Sequence, residues 1–369
     1  MADSMPTIRS LAKMAGVSNA TVSLALRNHP RIGKEVRERI QALAAKVGYK
    51  SDPVVANLLV QLRSRKTASY QSTLGFLQLG GEPELLNSNS VPTFRNWNLG
   101  AHERAEMLGY TIDHLTPVKS HLSAEHLIRI LDTRAIRGLL VMGRLEDSEL
   151  PKEFAPVWER YASIVIGQRP IHPALSYVAN DQFSGTVEAV KEVMKLGYQR
   201  PALCINPRID ERVEHRFSGG FSVEQRKLPA KNQIPIFDFE FTHIDLGTEK
   251  RFQTWFKQHQ PDVILTLHIE LEKWLKEMGL GVPANVGLVH LDKFSGLDWA
   301  GMDQNSTSVG RAAVDMVIGQ LHRNEFGPPP FQKSMLIAST WVPGPTIRPP
   351  EVRAAPPAKA ARVPRTKAA

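Results

Sequence analysis

A single cysteine stands among the 369 residues, so no disulfide can form within the chain. The fold must rest on burial alone, which suits a reducing cytoplasm. That cysteine, Cys204, falls in the apolar run Ala202–Ile205 and reads as a small buried hydrophobe. Long apolar runs are absent too: none approaches the ~20 residues of a membrane-spanning helix. The opening MADSMPTIRS lacks the apolar centre of an export signal, so the chain is expected in the cytoplasm. Catalytic signatures are missing: no Walker loop, no His-Glu-x-x-His, no Cys-x-x-Cys and no Gly-x-Ser-x-Gly elbow. The 12 histidines are scattered without metal-ligand spacing. Gly279, Gly281 and Ala284 spell G-x-G-x-x-A, but after a helical stretch and before an apolar run, the reverse of a dinucleotide turn. These gaps argue against an enzyme and against a metal or cofactor.

Charge is present but uneven. Of the net +9, residues 1–66 hold 12 Lys and Arg against 4 Asp and Glu, and residues 348–369 hold 6 against 1, which leaves the centre mildly acidic. A cationic surplus on so short an N-terminal segment is the footprint of phosphate binding. The tail 347–369, rich in Pro, Ala, Lys and Arg, has too little apolar surface to fold and is expected to be disordered, adding at most weak nonspecific affinity for DNA.

Residues 1–50 pattern as three short helices. Thr7 can cap the first, whose apolar positions are Ile8, Leu11, Ala12 and Ala15. Gly16 then ends it, Val17 plugs the turn, and Ser18 with Thr21 opens the second helix. That helix buries Val22, Ala25 and Leu26 and shows Asn19, Ala20, Thr21, Ser23 and Leu24, a slim uncharged face that fits a DNA groove. The third follows Gly33, with Val36, Ile40, Leu43, Ala44 and Val47 on one stripe and Gly48 as its stop. Residues 51–72 are expected to form a short linking helix, started by Asp52 and Pro53, and a polar connector. From 73 to 346, short apolar runs alternate with amphipathic stretches. That pattern implies parallel sheets covered by helices, two doubly wound lobes in preference to one large sheet. Ligands would then sit beyond the carboxyl ends of the strands, in the cleft between lobes.

Taken together, these residues resemble the LacI/GalR family of bacterial transcription regulators. The likeness runs through TIRSLAKMAGVSNATVSLALRN (7–28), RERIQALAAKVGY (37–49), LGAHERAEMLGY (99–110), MKLGYQRPALCI (194–205), GLGVPANVGLVHLD (279–292) and TWVPGPT (340–346). It implies a helix-turn-helix headpiece on a periplasmic-binding-protein-like body. It also implies a homodimer on a near-palindromic double-stranded DNA operator, with a carbohydrate as the small-molecule effector. In such a regulator Asn19 and Ala20 would read bases. Thr7, Ser18, Thr21, Ser23 and Asn28 would touch phosphates, and Leu58 would wedge into the minor groove. Leu24 stands where the family usually has arginine, so the operator cannot be copied from well-known members. Position matching assigns the effector to Phe94, Asp181, Arg212 or Arg216, His268 and Asp292, with Trp97 and Arg169 as further candidates. The family's Arg-x-x-Gly-Phe spacing lands on Phe217, which leaves Arg216 one residue out of register.

Overall fold

The computed structural model describes residues 8–26, 32–47, 72–80, 92–143, 148–239 and 246–349. Thr7, Asn28, Gly48, Leu58, most of the 51–72 linker and the tail from 350 lie outside them, as do the side chains of Ile8, Ala20 and Ser23.

Three helices, α1 (Ile8–Ala15), α2 (Asn19–Leu26) and α3 (Lys34–Lys46), form the headpiece. Leu11, Val22, Ala25 and Ile40 are fully buried between them. At about 1.5–3 kcal/mol for each large side chain, that is a small core, sufficient for a compact unit of this size. The turn between α1 and α2 has a definite cause. Gly16 adopts φ +66°, and Val17 N–H donates back to Ala12 O at 3.1 Å, closing the end of α1. Ser18 Oγ then accepts from Thr21 N–H at 3.1 Å and fixes the start of α2. Gln41 Nε2 donates to Ala25 O at 3.1 Å, tying α3 to the end of α2.

The body holds twelve strands in two sheets of six. The first sheet runs in the order β11-β5-β4-β3-β1-β2, with β1 Ser72–Gln78, β2 Tyr110–Leu115, β3 Gly138–Met142, β4 Ala162–Ile166, β5 Tyr177–Asn180 and β11 Ser334–Ile337. The second runs β12-β10-β9-β8-β6-β7, with β6 Pro201–Ile205, β7 Phe237–Asp238, β8 Val263–Thr266, β9 Gly287–His290, β10 Ala300–Asp303 and β12 Thr340–Val342. Inner strands such as GLLVM and PALCI are buried throughout, which is why they read as continuous apolar runs. Two doubly wound lobes are therefore the architecture, with one amendment: β12 pairs antiparallel to β10 at its edge of the second sheet. The expected strand over 234–239 is also shorter, reduced to Phe237–Asp238.

The chain passes between lobes three times: after β5, after β10 and between β11 and β12. The crossings are laced together. Asn180 Nδ2 donates to Gln304 O at 2.7 Å, Asp181 N–H to Ile337 O at 2.8 Å, and Asn305 Nδ2 to Ala338 O at 2.9 Å. Because of these crossings, the helix after β10, Ser306–Arg323, packs under the first sheet, with Val309, Ala313, Val314 and Val317 fully buried among Leu74, Phe76 and Leu140.

Candidate functional site

A cavity of about 610 Å³ lies between the lobes. Its walls come from the carboxyl ends of strands, where open α/β sheets bind ligands. Gly143 follows β3 and Gly167–Gln168 follow β4 in the first lobe. Asn206 follows β6, Leu267–Glu270 follow β8, and His290 with Asp292 ends β9 in the second.

The two walls differ in chemistry. The first lobe contributes Thr93, Phe94 and Trp97 from the start of α4 (Pro92–Met107), with Ile166 and Gln168. The Phe94 and Trp97 rings lie 5.2 Å apart and tilted, an aromatic platform. Gly167 makes room for it: its φ is +88°, and a Cβ there would sit 2.1 Å from Trp97 Cη2. The second lobe supplies the charged and titratable groups Arg208, Arg212, His268, Glu270, His290 and Asp292.

Burial sets their protonation. His268 is driven down to about 3, chiefly by desolvation and further by the nearby His290. His290 falls to about 4, again chiefly by desolvation, although its hydrogen bonds with Leu267 and Asp292 oppose the shift. Both imidazoles are therefore neutral at pH 7. His290 Nδ1 accepts from Asp292 N–H at 3.2 Å, and His268 stands edge-on to Phe239 at 4.6 Å between ring centres. Desolvation raises Asp292 to about 6, against the lowering effect of Thr93, whose Oγ1 donates to Asp292 Oδ2 at 2.5 Å. That bond joins the first lobe to the second across the cleft.

The expected effector residues divide. Phe94, Trp97, Arg212, His268 and Asp292 line this one cavity. Asp181 lies outside the lining: it caps the helix α7 (Gln182–Lys195), its Oδ1 accepting from Ser184 N–H at 3.1 Å. Arg216 also lies outside, with its guanidinium donating to Glu214 at 3.2 Å and facing the Tyr177 hydroxyl at 3.5 Å. Phe217, in the register of the family's arginine, is buried in the second lobe's core. The guanidiniums at the cleft come instead from Arg208 and Arg212, four residues apart on α8 (Pro207–Arg212). Arg169 points to Glu214 and Gln332, away from the lining. Sequence reasoning missed Thr93, Gln168, Arg208, Glu270, His290 and Phe294; for His290, the end of an apolar strand was the available signal.

In the headpiece, Asn19 and Ser18 are exposed, while Thr21 and Leu24 are partly so. Residues 7–52 match the profile of bacterial regulatory proteins of the lacI family, and residues 190–346 that of a periplasmic binding protein-like domain. The chain belongs to the lacI family. It is a helix-turn-helix transcriptional regulator carrying a ligand-binding body. Among relatives, the HTH-type transcriptional repressor PurR of Aliivibrio salmonicida is 20% identical over 332 residues, covering 86% of this chain and 92% of its own. Two solved structures share the fold. The complex of the transcriptional regulator CelR with cellobiose has a TM-score of 0.55 and 16% identity, covering 92% of this chain and 99% of its own. The lac repressor dimer bound to operator and the anti-inducer ONPF has a TM-score of 0.54 and 17% identity, covering 92% and 98%. Among the described residues, no helix of this lacI-family chain is long and apolar enough to cross a membrane.

Proposed function

We propose that this protein is a cytoplasmic, homodimeric repressor that binds a near-palindromic operator and responds to a carbohydrate held between its lobes. The observation that carries the effector reading is the contrast of walls in one cavity: an aromatic platform on one side and carboxylates, guanidiniums and neutral imidazoles on the other. A pyranose ring has an apolar face for the rings of Phe94 and Trp97 and a rim of hydroxyls for Asp292, Arg212 and His268. CelR, which shares the fold, was solved with cellobiose.

On the DNA side, Asn19 and Ala20 read bases in this proposal. Thr7, Ser18, Thr21, Ser23 and Asn28 position the headpiece on phosphates, and Leu58 inserts in the minor groove at the operator centre. The effector test is a thermal-shift screen of the full-length chain against mono- and disaccharides, followed by the positive sugar in an operator-binding titration. A ligand selective for the folded state raises the melting temperature. The reading stands if a sugar both stabilises the protein and changes operator affinity. It fails if nucleobases or amino acids do so and no sugar does.

A further inference from the structure

At the edge of the cleft, two segments that line it run on directly into an ion bridge between the lobes. On the first lobe, Gly167 and Gln168 are followed by Arg169; on the second, Arg212 and Val213 are followed by Glu214. Arg169 Nη1 donates to Glu214 Oε1 at 2.8 Å. The other carboxylate oxygen, Oε2, accepts from Arg216 Nη2 at 3.2 Å, and Arg216 in turn faces the hydroxyl of Tyr177, a buried residue of the first lobe, at 3.5 Å.

Both ends are fixed in place. Arg169 Nε donates to Gln332 Oε1 at 2.8 Å, and Gln332 Nε2 donates to Pro170 O at 2.7 Å and Leu175 O at 2.9 Å. On the other side, Glu214 and His215 occupy the left-handed region at φ +57° and +56°, a costly conformation for residues other than glycine. The turn is held by Asp210, a buried carboxylate that accepts from Phe217 N–H at 3.1 Å and Ser218 N–H at 3.2 Å, while Asp210 O accepts from His215 N–H at 2.8 Å. Strain over-determined by a buried anchor marks a side chain that must be aimed, and here it is aimed at the opposite lobe.

We propose that Glu214 is a positioning residue for effector binding, holding the lobes closed through Arg169 without touching the ligand. The proposal rests on the cleft being the effector site. Arg216, which the family register would send to the ligand, serves here to orient Glu214. Exposed ion pairs shift an equilibrium by up to about fivefold, which is enough to change the resting balance of open and closed lobes while leaving the fold intact.

The test reads lobe separation in the full-length chain with no ligand present, so its failure leaves the effector reading standing. Lys152, in the first lobe, and Lys273, in the second, have side chains 86% and 74% exposed and serve as labelling sites. The native Cys204 is buried and stays unlabelled. Spin labels at Lys152→Cys and Lys273→Cys should report a short, narrow distance distribution by pulsed electron resonance. Glu214→Gln and Arg169→Gln should each lengthen and broaden it, with a severalfold rise in the open population. Their combination should do no more than either alone, and Glu214→Asp should restore much of the closed population. Circular dichroism confirms folding, and Arg169→Gln, on a partly exposed loop side chain, keeps the test alive should the Glu214 variants fail to fold. A distribution unchanged in the single variants, or additive lengthening in the double, overturns the proposal.

Discussion

The two lobes share an architecture and divide the chemistry. Each has six strands and presents the carboxyl ends of its strands to the same cavity. The first lobe offers rings, a methyl-bearing hydroxyl and a glycine that admits an indole. The second offers the carboxylates, guanidiniums and imidazoles. Grip and orientation are thus separable: an apolar face can hold many rings by contact area, while a polar wall selects among them by which donors and acceptors it leaves satisfied. Specificity should therefore reside in the second lobe and stability of the platform in the first.

The largest expected effect comes from removing the second lobe's central carboxylate. Asp292→Ala should abolish the shift in melting temperature produced by the positive sugar, a loss of at least about a hundredfold in affinity if the carboxylate bonds ligand hydroxyls in a charge-assisted way. Operator affinity without ligand should remain near wild type, measured by fluorescence anisotropy. An undiminished sugar response would place selection elsewhere and break the contrast.

Next in size is a change in the first lobe. Gly167→Ala puts a Cβ 2.1 Å from Trp97 Cη2 and asks alanine to adopt φ +88°. Steric and backbone strain together should cost about 2–3 kcal/mol, read as a lower urea midpoint at unchanged slope. Sugar affinity should fall because the platform moves, while the order of preference among sugars stays the same. A changed order would show that the first lobe also selects.

A smaller effect, and a control on both lobes, lies in the headpiece. Asn19→Ala should relax preference at one base position per operator half-site by about 1–3 kcal/mol while leaving the sugar-induced melting shift untouched. Selection from a random duplex pool with the same consensus as wild type would remove Asn19 from base reading.

How much of this was legible in the sequence depended on whether neighbours in the chain were also neighbours in space. The α1–α2 turn was readable because Ala12, Gly16, Val17, Ser18 and Thr21 are contiguous and their hydrogen bonds are local. Buried strands such as Ala162–Ile166 announced themselves by composition. The edge strands β11 and β12 did not, because they are short and largely exposed and take their place from partners more than 30 residues away. At the cleft, Asp292 and His268 followed from strand ends, whereas Thr93 counts only because the fold sets it against Asp292, 199 residues on. Arg216 misled for the complementary reason: its register resembled the family's, but the left-handed turn at Glu214–His215 sends the side chain to the cleft's edge.

The smallest effect is a slope with pH, and it tests whether the second lobe really holds its imidazoles neutral. An imidazole whose value is lowered on folding adds stability that is complete above its unfolded value near 6.5 and is lost as pH falls through the folded value. For His268 and His290 the window runs from about 6.5 down to about 3 and 4. Within it each unfolding event takes up to one extra proton per imidazole, roughly 1 kcal/mol per pH unit for each. Asp292 works against them. Its value is raised on folding, so its favourable contribution is present at low pH and is lost as pH rises from 3.8 through about 6. Wild type should thus show a partly cancelled slope between pH 5 and 7. His268→Gln should flatten or reverse it, and Asp292→Asn should steepen it, both measured as the change in urea midpoint between the two pH values. Equal slopes in all three proteins would mean that these groups are solvated in the folded state, and the second lobe's wall would then be no drier than the surface.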